Sequence, residues 1–334
     1  MHIVATVLLW IIGIFSALFL PIIIIYLFTK RPNGAKFQGN HVLITGGSQG
    51  IGLELAKQCA AKGANITIVA RNMKLLDEAK TMIEQCRKYP DSQRVQALSC
   101  DVASGYDAVE ETIRKAEKTI DQHVGILINC AGFSSNKYFE DFSVEDFRML
   151  MDVNYFGALY ATKAVLEQMK FFKSGTITFI SSQGGQTGFI GMSAYSPTKF
   201  ALKGLAECLR SELLPFNINV GVVYPPDTDT PGLAKENAQK AIECHEISET
   251  AGLFKAEHVA QRILKEMEAG TFSIVIGIDG FMLDTVSGGL SPIDSIIKSF
   301  AQVYLIGIFK LIALFYATIF QRIVMKHKEK RHMY

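Results

Sequence analysis

The chain has no charge excess, few cysteines and no repeats, and each absence removes a class of function. Lys and Arg number 34 against 32 Asp and Glu, a net charge of +2 over 334 residues. Binding a polyanion by counterion release needs a concentrated basic surface, so nucleic acid is set aside as a partner. The six cysteines stand at 59, 86, 100, 130, 208 and 244. They form no Cys-x-x-Cys pair and no metal-ligand spacing, which leaves no metal site to expect and predicts scattered reduced thiols facing a cytosolic redox environment. No segment repeats and none is of low complexity, so a repeat architecture is set aside as well.

Charge is also missing from the N-terminal stretch. Ile3 to Phe28 has no Lys, Arg, Asp or Glu, and as a helix it reaches about 39 Å, against about 30 Å for a hydrocarbon core. Pro21 is placed to kink it. A cleaved signal peptide has a basic start and a shorter apolar run. Here no Lys or Arg precedes the run, so an uncleaved transmembrane anchor over residues 1–29 is expected. Lys30 and Arg31 follow directly, which puts the rest of the chain in the cytosol. Val303 to Ile323 is apolar again, but Lys310 near its middle costs about 2.5–3.5 kcal/mol on insertion, and Arg322 sits near its end. Lys326, Lys328, Lys330 and Arg331 crowd behind. The first expectation for region 281–325 is a membrane-associated helix lying in the interface, with a second span and a plain buried helix as alternatives. Residues 326–334 form a basic tail.

Between the ends, short Val- and Ile-rich runs alternate with amphipathic stretches. The runs are His41–Thr45, Asn65–Ala70, Val95–Cys100, Ile126–Asn129, Gly175–Ser181, Asn219–Val223 and Ser273–Ile276. Helical periodicity fills Gly52–Lys62, Met73–Tyr89, Asp107–Gln122, Val144–Phe172, Tyr195–Leu214 and Lys255–Ala269. Short strands alternating with helices predict an α/β fold, a doubly wound parallel sheet of Rossmann type, in one domain over 39–280.

The first strand leads into Thr45-Gly46-Gly47-Ser48-Gln49-Gly50-Ile51-Gly52. Gly46, Gly50 and Gly52 let backbone approach a pyrophosphate at the positive end of the following helix, with Ser48, Gln49 and Ile51 in the same loop. The second strand ends at Arg71, with Lys74 close by, where a cofactor lacking a 2′-phosphate would meet an acid. A guanidinium pairs well with a phosphate, so NADPH/NADP+ is expected rather than NADH.

Tyr195-Ser196-Pro197-Thr198-Lys199 carries the chemistry. If Tyr195 opens a helix, Tyr195 and Lys199 are i, i+4 neighbours. A cation beside a phenol favours the phenolate, so the tyrosine is expected to titrate below its usual value of about 10. Pro197 in a first helical turn removes no needed hydrogen bond. Ser182, thirteen residues before the tyrosine, offers a hydroxyl to a substrate carbonyl or alcohol, and Ser181 is the second candidate.

Together these residues resemble the short-chain dehydrogenase/reductase family. Its glycine motif matches Thr45 to Gly52, and its adenine-side Asp-Val matches Asp101-Val102. Its Asn-Asn-Ala-Gly motif stands as Asn129-Cys130-Ala131-Gly132, with cysteine at one position. The resemblance implies a catalytic set of Ser182, Tyr195, Lys199 and Asn154, the last helping to anchor a relay water. Tyr195 is then the general acid, Lys199 lowers its pKa and binds the nicotinamide ribose, and Ser182 orients the carbonyl. Family spacing favours Ser182 over Ser181. Pro225 and Thr228, in Tyr224-Pro225-Pro226-Asp227-Thr228-Asp229-Thr230-Pro231-Gly232, match the segment that meets the nicotinamide.

That run, Ile247-Ser248-Glu249-Thr250, Ser181-Ser182-Gln183 and the apolar ends resemble the family's endoplasmic-reticulum members of sphingolipid synthesis. The resemblance implies a long-chain 3-keto sphingoid base as substrate, 3-ketosphinganine reduced to sphinganine, at a lipid bilayer with the catalytic domain facing the cytosol. A homodimer or association with other sphingolipid-synthesis enzymes is left open. The alternatives are a membrane-anchored steroid or retinoid dehydrogenase and, distantly, a non-catalytic nucleotide-binding membrane protein. Gly184–Ser193 and Pro231–Gly252 are expected to flank the entrance. Glu236, Glu243, Glu246 and Glu249 could meet the substrate ammonium or form a solvated helix face.

Overall fold

A computed structural model describes residues 2–29, 31–238, 240–249, 252–292 and 294–327. Lys30 and the basic tail's Lys328, Lys330 and Arg331, like Thr250, lie outside the described residues.

Seven parallel strands form one sheet in the order β3-β2-β1-β4-β5-β6-β9. These are β1 (His41–Thr45), β2 (Asn65–Ala70), β3 (Val95–Ser99), β4 (Val124–Asn129), β5 (Gly175–Ile180), β6 (Ile218–Tyr224) and β9 (Ser273–Val275). Among the described residues two further strands, β7 (Thr228–Asp229) and β8 (Phe254–Lys255), pair with each other. All five residues of β1 are buried, as a strand covered on both faces must be. Its period of two divides them. Val42 and Ile44 join the core that contains Leu55 and Ile263, while Leu43 joins the core that contains Ile113 and Val165.

Helices α2 (Gly50–Ala61), α3 (Met73–Gln85) and α10 (Ala256–Ala269) cover the first face. The second is covered by α4 (Tyr106–Ile120), α6 (Gly157–Phe172) and α7 (Ser196–Leu213). The apolar stretch expected as one helix over Val144–Phe172 is broken. It runs as α5 (Val144–Met151), a π-helical turn at Asp152–Phe156, and α6. Strand order reverses between β1 and β4, and such a switch point opens a crevice at the carboxyl ends of the strands. The loops after β1, β4, β5 and β6 all meet there.

Two short helices, α8 (Pro231–Asn237) and α9 (Ile242–Glu249), follow β7, and α11 (Gly277–Ser287) follows β9. Helix α1 runs over His2–Phe28. The last helix, α12 (Ile296–Lys326), has 31 residues and a π turn at Ala301–Leu305. Among the described residues it is the one helix long and apolar enough to cross a membrane, and the N-terminal stretch that meets the apolar criterion, Phe15–Phe28, is shorter. The two helices touch. Phe19 stacks on Phe300 at 4.4 Å between ring centroids, and Tyr304 donates to the Leu18 carbonyl at 3.1 Å.

Candidate active site

The loop after β1 is built for close approach. Gly46 has φ +70°, and a Cβ there would lie 2.8 Å from the Ala131 Cα, so only glycine fits against the β4 loop. Thr45 ties the same two loops, its Oγ1 accepting from the amides of Cys130 and Ala131 at 3.2 Å each. Helix α2 begins just beyond, with Gln49 at its N-cap and no side-chain cap. Its first amides are therefore uncapped by the protein, at the positive end of a helix dipole. A groove of about 500 Å³ runs from this loop past Arg71 and Asp101 to Tyr195 and Lys199. Glycine backbone and uncapped amides facing a groove are the surroundings a pyrophosphate needs, so the residues present fit a dinucleotide.

Of the residues expected to hold that cofactor, Gly46, Ser48, Gln49, Gly50, Ile51 and Gly52 line the groove. Arg71, Asp101, Val102, Pro225 and Thr228 line it too. Two expected residues do not. Lys74 is turned away, and Leu75 lines the wall instead. The reason is helical: Asn72 caps α3 by accepting from the Leu75 amide at 3.2 Å, which sets residues 72 and 75 on the groove side and 74 about 100° around. Asn129 is 3% exposed and lies under the floor, its Nδ2 donating to Thr162 Oγ1 at 3.1 Å. It braces β4 on α6. Arg71 is held only loosely, 3.8 Å from Asp101, with 70% of its side chain exposed. An exposed pair at that distance is weak, which leaves the guanidinium free to take a phosphate.

The chemical end of the groove combines β5, the π turn and α7. Tyr195 occupies the N-cap of α7, with Pro197 in the first turn. The two serines divide their work. Ser181 is buried and donates to the Lys199 carbonyl at 2.9 Å. Ser182 accepts from the Gly184 amide at 3.1 Å and hydrogen-bonds the Tyr195 phenol. Lys199 is buried, donates to the Ile180 carbonyl at 2.9 Å, and has its Nζ 5.6 Å from the Tyr195 ring centroid. Asn154 is wholly buried. Its Oδ1 accepts from the Phe133 amide and its Nδ2 donates to the Phe133 carbonyl and to Thr198 Oγ1, each at 3.0 Å. So the expected set of Ser182, Tyr195, Lys199 and Asn154 gathers at one place.

The electrostatics differ from the expectation. Burial pushes the Tyr195 phenol up from its ordinary value, opposed by the Ser182 hydrogen bond and reinforced by the charges of Glu236 and Asp227. Burial holds Lys199 down, to about 8. In this pocket desolvation outweighs the attraction between ammonium and phenolate.

A second cavity of about 690 Å³ adjoins the groove. Ser182, Met192, Pro225, Pro226 and Asp227 border both. The segments expected at the entrance supply part of its wall, through Phe189 and Met192 on one side and Cys244 and Ile247 on the other. Sequence reasoning missed the rest, which comes from α11 and α12. Of the four acids considered for an ammonium, three are engaged elsewhere. Glu243 accepts from the Tyr138 hydroxyl at 2.6 Å, and Glu249 lies 3.4 Å from His245. Glu246 accepts from His327 at 2.7 Å and Lys326 at 3.1 Å. Glu236 reaches the groove, where it and Asp227 hold the buried Lys240 ammonium at 3.2 and 3.4 Å.

Comparison with known proteins agrees with this architecture. A family model described as short chain dehydrogenase matches residues 40–241. A 3-dehydrosphinganine reductase of Danio rerio is 46% identical over 293 residues, 88% of each chain. A 3-ketodihydrosphingosine reductase of Bos taurus is 46% identical over the same share. Among solved structures, levodione reductase superposes with a TM-score of 0.66 at 22% identity, covering 74% of this chain and 98% of that one. At that identity the likeness carries the fold and nothing further.

Proposed function

This chain belongs to the short-chain dehydrogenase family, and from that premise we propose that it reduces 3-ketosphinganine, a long-chain 3-keto sphingoid base, to sphinganine with NADPH. The observation that carries the reading is a junction. The Ser182 hydroxyl, hydrogen-bonded to the Tyr195 phenol, stands where the cofactor groove opens into an apolar cavity. A carbonyl placed there has polar donors at its oxygen and hydrocarbon walls for its tail. The relatives named for that substrate are 46% identical across most of their length.

A bound nicotinamide cofactor supplies the hydride. The chain's residues do the rest. Ser182 orients the carbonyl oxygen. Tyr195 gives it a proton as negative charge develops. Its raised pKa keeps that proton in place through neutral pH, and the developing alkoxide is a far stronger base than a phenolate. Lys199 holds the ribose end and places positive charge beside the phenol. Arg71 takes the 2′-phosphate. Asn154 holds the Gly132–Phe133 loop against α7 and so shapes the floor.

For the membrane, contacts along α12 support a helix lying in the interface. Phe309 packs on Phe281 at 6.0 Å and Phe320 on Phe189 at 6.1 Å, while Glu246 pairs with Lys326 beyond. Residues that touch the domain along that length cannot also cross a bilayer away from it. Lys310 and Arg322 are exposed on α12, where their long side chains can reach headgroups. Helix α1 beside it is the membrane anchor, and the endoplasmic reticulum with a cytosol-facing active site is the setting this reading proposes. The domain then spans 39–280.

Two measurements test the reading. Microsomes carrying the protein should oxidise NADPH with 3-ketosphinganine; turnover of steroid ketones or retinal alone sinks it. Arg71→Glu should raise KM for NADPH about 10- to 100-fold, the worth of a charge-assisted contact, and leave NADH turnover no lower. Better use of NADPH by this variant contradicts the cofactor assignment.

A further inference from the structure

Helix α12 is apolar over most of its surface, yet its faces meet different surroundings. Phe309, Ala313, Tyr316, Ala317, Phe320 and Val324 line the cavity beside Ser182. Their spacing of three and four puts them on one face. Leu311 and Phe315 lie on the opposite face and are 69% and 66% exposed. A lipid anchor alone needs no such division. The cavity face carries two alanines between rings, so it is recessed where the outer face is full.

The recess is long. From Phe309 to Val324 the helix rises about 22 Å, more than the roughly 15 Å that one leaflet of a 30 Å hydrocarbon core supplies. It is continuous with the catalytic junction, since one cavity is bounded by Ser182 and Pro225 at one side and by α12 at another. The far end of α12 is fastened to the rest of the wall. His327 and Lys326 reach Glu246 of α9 at 2.7 and 3.1 Å, and Ile247 of the same helix lines the cavity.

We propose that α12 is the wall of an alkyl-chain subsite, in which Ala313 and Ala317 set how long a tail the enzyme accepts. The occupant is the hydrocarbon chain of the substrate; this rests on the ketone-reductase reading above. The C-terminal helix then has two faces with two roles, one towards lipid and one towards substrate, and the chain passes between them without crossing water.

The test uses the full-length protein in lipid nanodiscs and the ratio of kcat/KM for a long-chain over a short-chain amino ketone. Each buried methylene is worth about fourfold. Ala317→Phe fills the recess and should lower that ratio at least tenfold. Leu311→Phe, which places a ring on the outer face, should leave the ratio within twofold. An equal fall for both substrates in Ala317→Phe, or an equal effect of Leu311→Phe, overturns the subsite. A long-chain amine with a photoreactive group at its tail end gives a readout without turnover: it should label residues 309–325. If the wild-type protein reduces neither ketone but the label falls there, the reaction is wrong and the subsite stands. Labelling confined to other segments overturns the subsite whatever the reaction.

Discussion

Replacing Tyr195 with phenylalanine is expected to lower kcat for the ketone by 10²- to 10⁴-fold, the usual worth of a positioned general acid, with little change in stability. The variant removes one oxygen. It leaves the ring, the N-cap backbone, and the hydrogen bonds that the Tyr195 carbonyl accepts from the Thr198 amide at 3.0 Å and the Thr198 hydroxyl at 2.7 Å. Ser182 keeps its contact with the Gly184 amide. Cofactor binding, followed by nicotinamide fluorescence, should therefore survive. A variant that turns over within tenfold of wild type would move the proton source elsewhere.

The pH profile gives a second view of the same site. Lys199 is held down to about 8 by burial, so its ammonium is intact below that pH and is lost as pH rises through it. The phenol is pushed upward and stays protonated over the whole range. Reduction should then fall above about pH 8, with the limb set by the lysine rather than the tyrosine. In Lys199→Arg the guanidinium keeps its charge to beyond pH 12, so that limb should vanish from whatever activity remains. A limb unmoved by this change would assign it to another group.

Much of this site is legible in the sequence because its parts are local. The strand ends follow from short Val- and Ile-rich runs, and the groove follows from Gly46 to Gly52 falling between a strand and a helix. Tyr195 and Lys199 share one helix turn. What is not legible depends on contacts between distant segments. The sign of the Tyr195 shift is one case: spacing places Lys199 nearby, but burial by surrounding loops decides the outcome. The apolar cavity is another, since its wall joins Phe189, Ile247, Met282 and Phe320, which no local pattern relates. Lys74 is a finer case. The N-cap at Asn72 fixes the phase of α3, and that phase turns the lysine out and Leu75 in. The periodicity of Val144–Phe172 likewise predicts one helix and gives no warning of the π turn within it.

That turn matters most at Asn154, where the second large effect is expected. A π turn inserts a residue and re-aims the side chains around it, often at a functional site. Here it accompanies a buried amide whose groups all meet protein partners: the Phe133 amide, the Phe133 carbonyl and Thr198. Gly132, next to Phe133, sits so close that a Cβ would lie 3.0 Å from Asn154 Oδ1 and 3.4 Å from Lys199 Nζ. Asn154 thus acts as a positioning residue, fixing the groove floor to the helix that carries Tyr195 and Lys199. Asn154→Ala removes the partner of two half-buried backbone groups of Phe133, at about 0.5–1.5 kcal/mol each, so a loss of about 1–3 kcal/mol is expected, a sizeable share of the 5–15 kcal/mol typical of a folded domain. Denaturant unfolding should register it as a lower midpoint, and KM for the cofactor should rise with it as the floor slips. A residue that served only to anchor a relay water would behave otherwise: stability would hold within about 0.5 kcal/mol, cofactor KM would be unchanged, and kcat alone would fall.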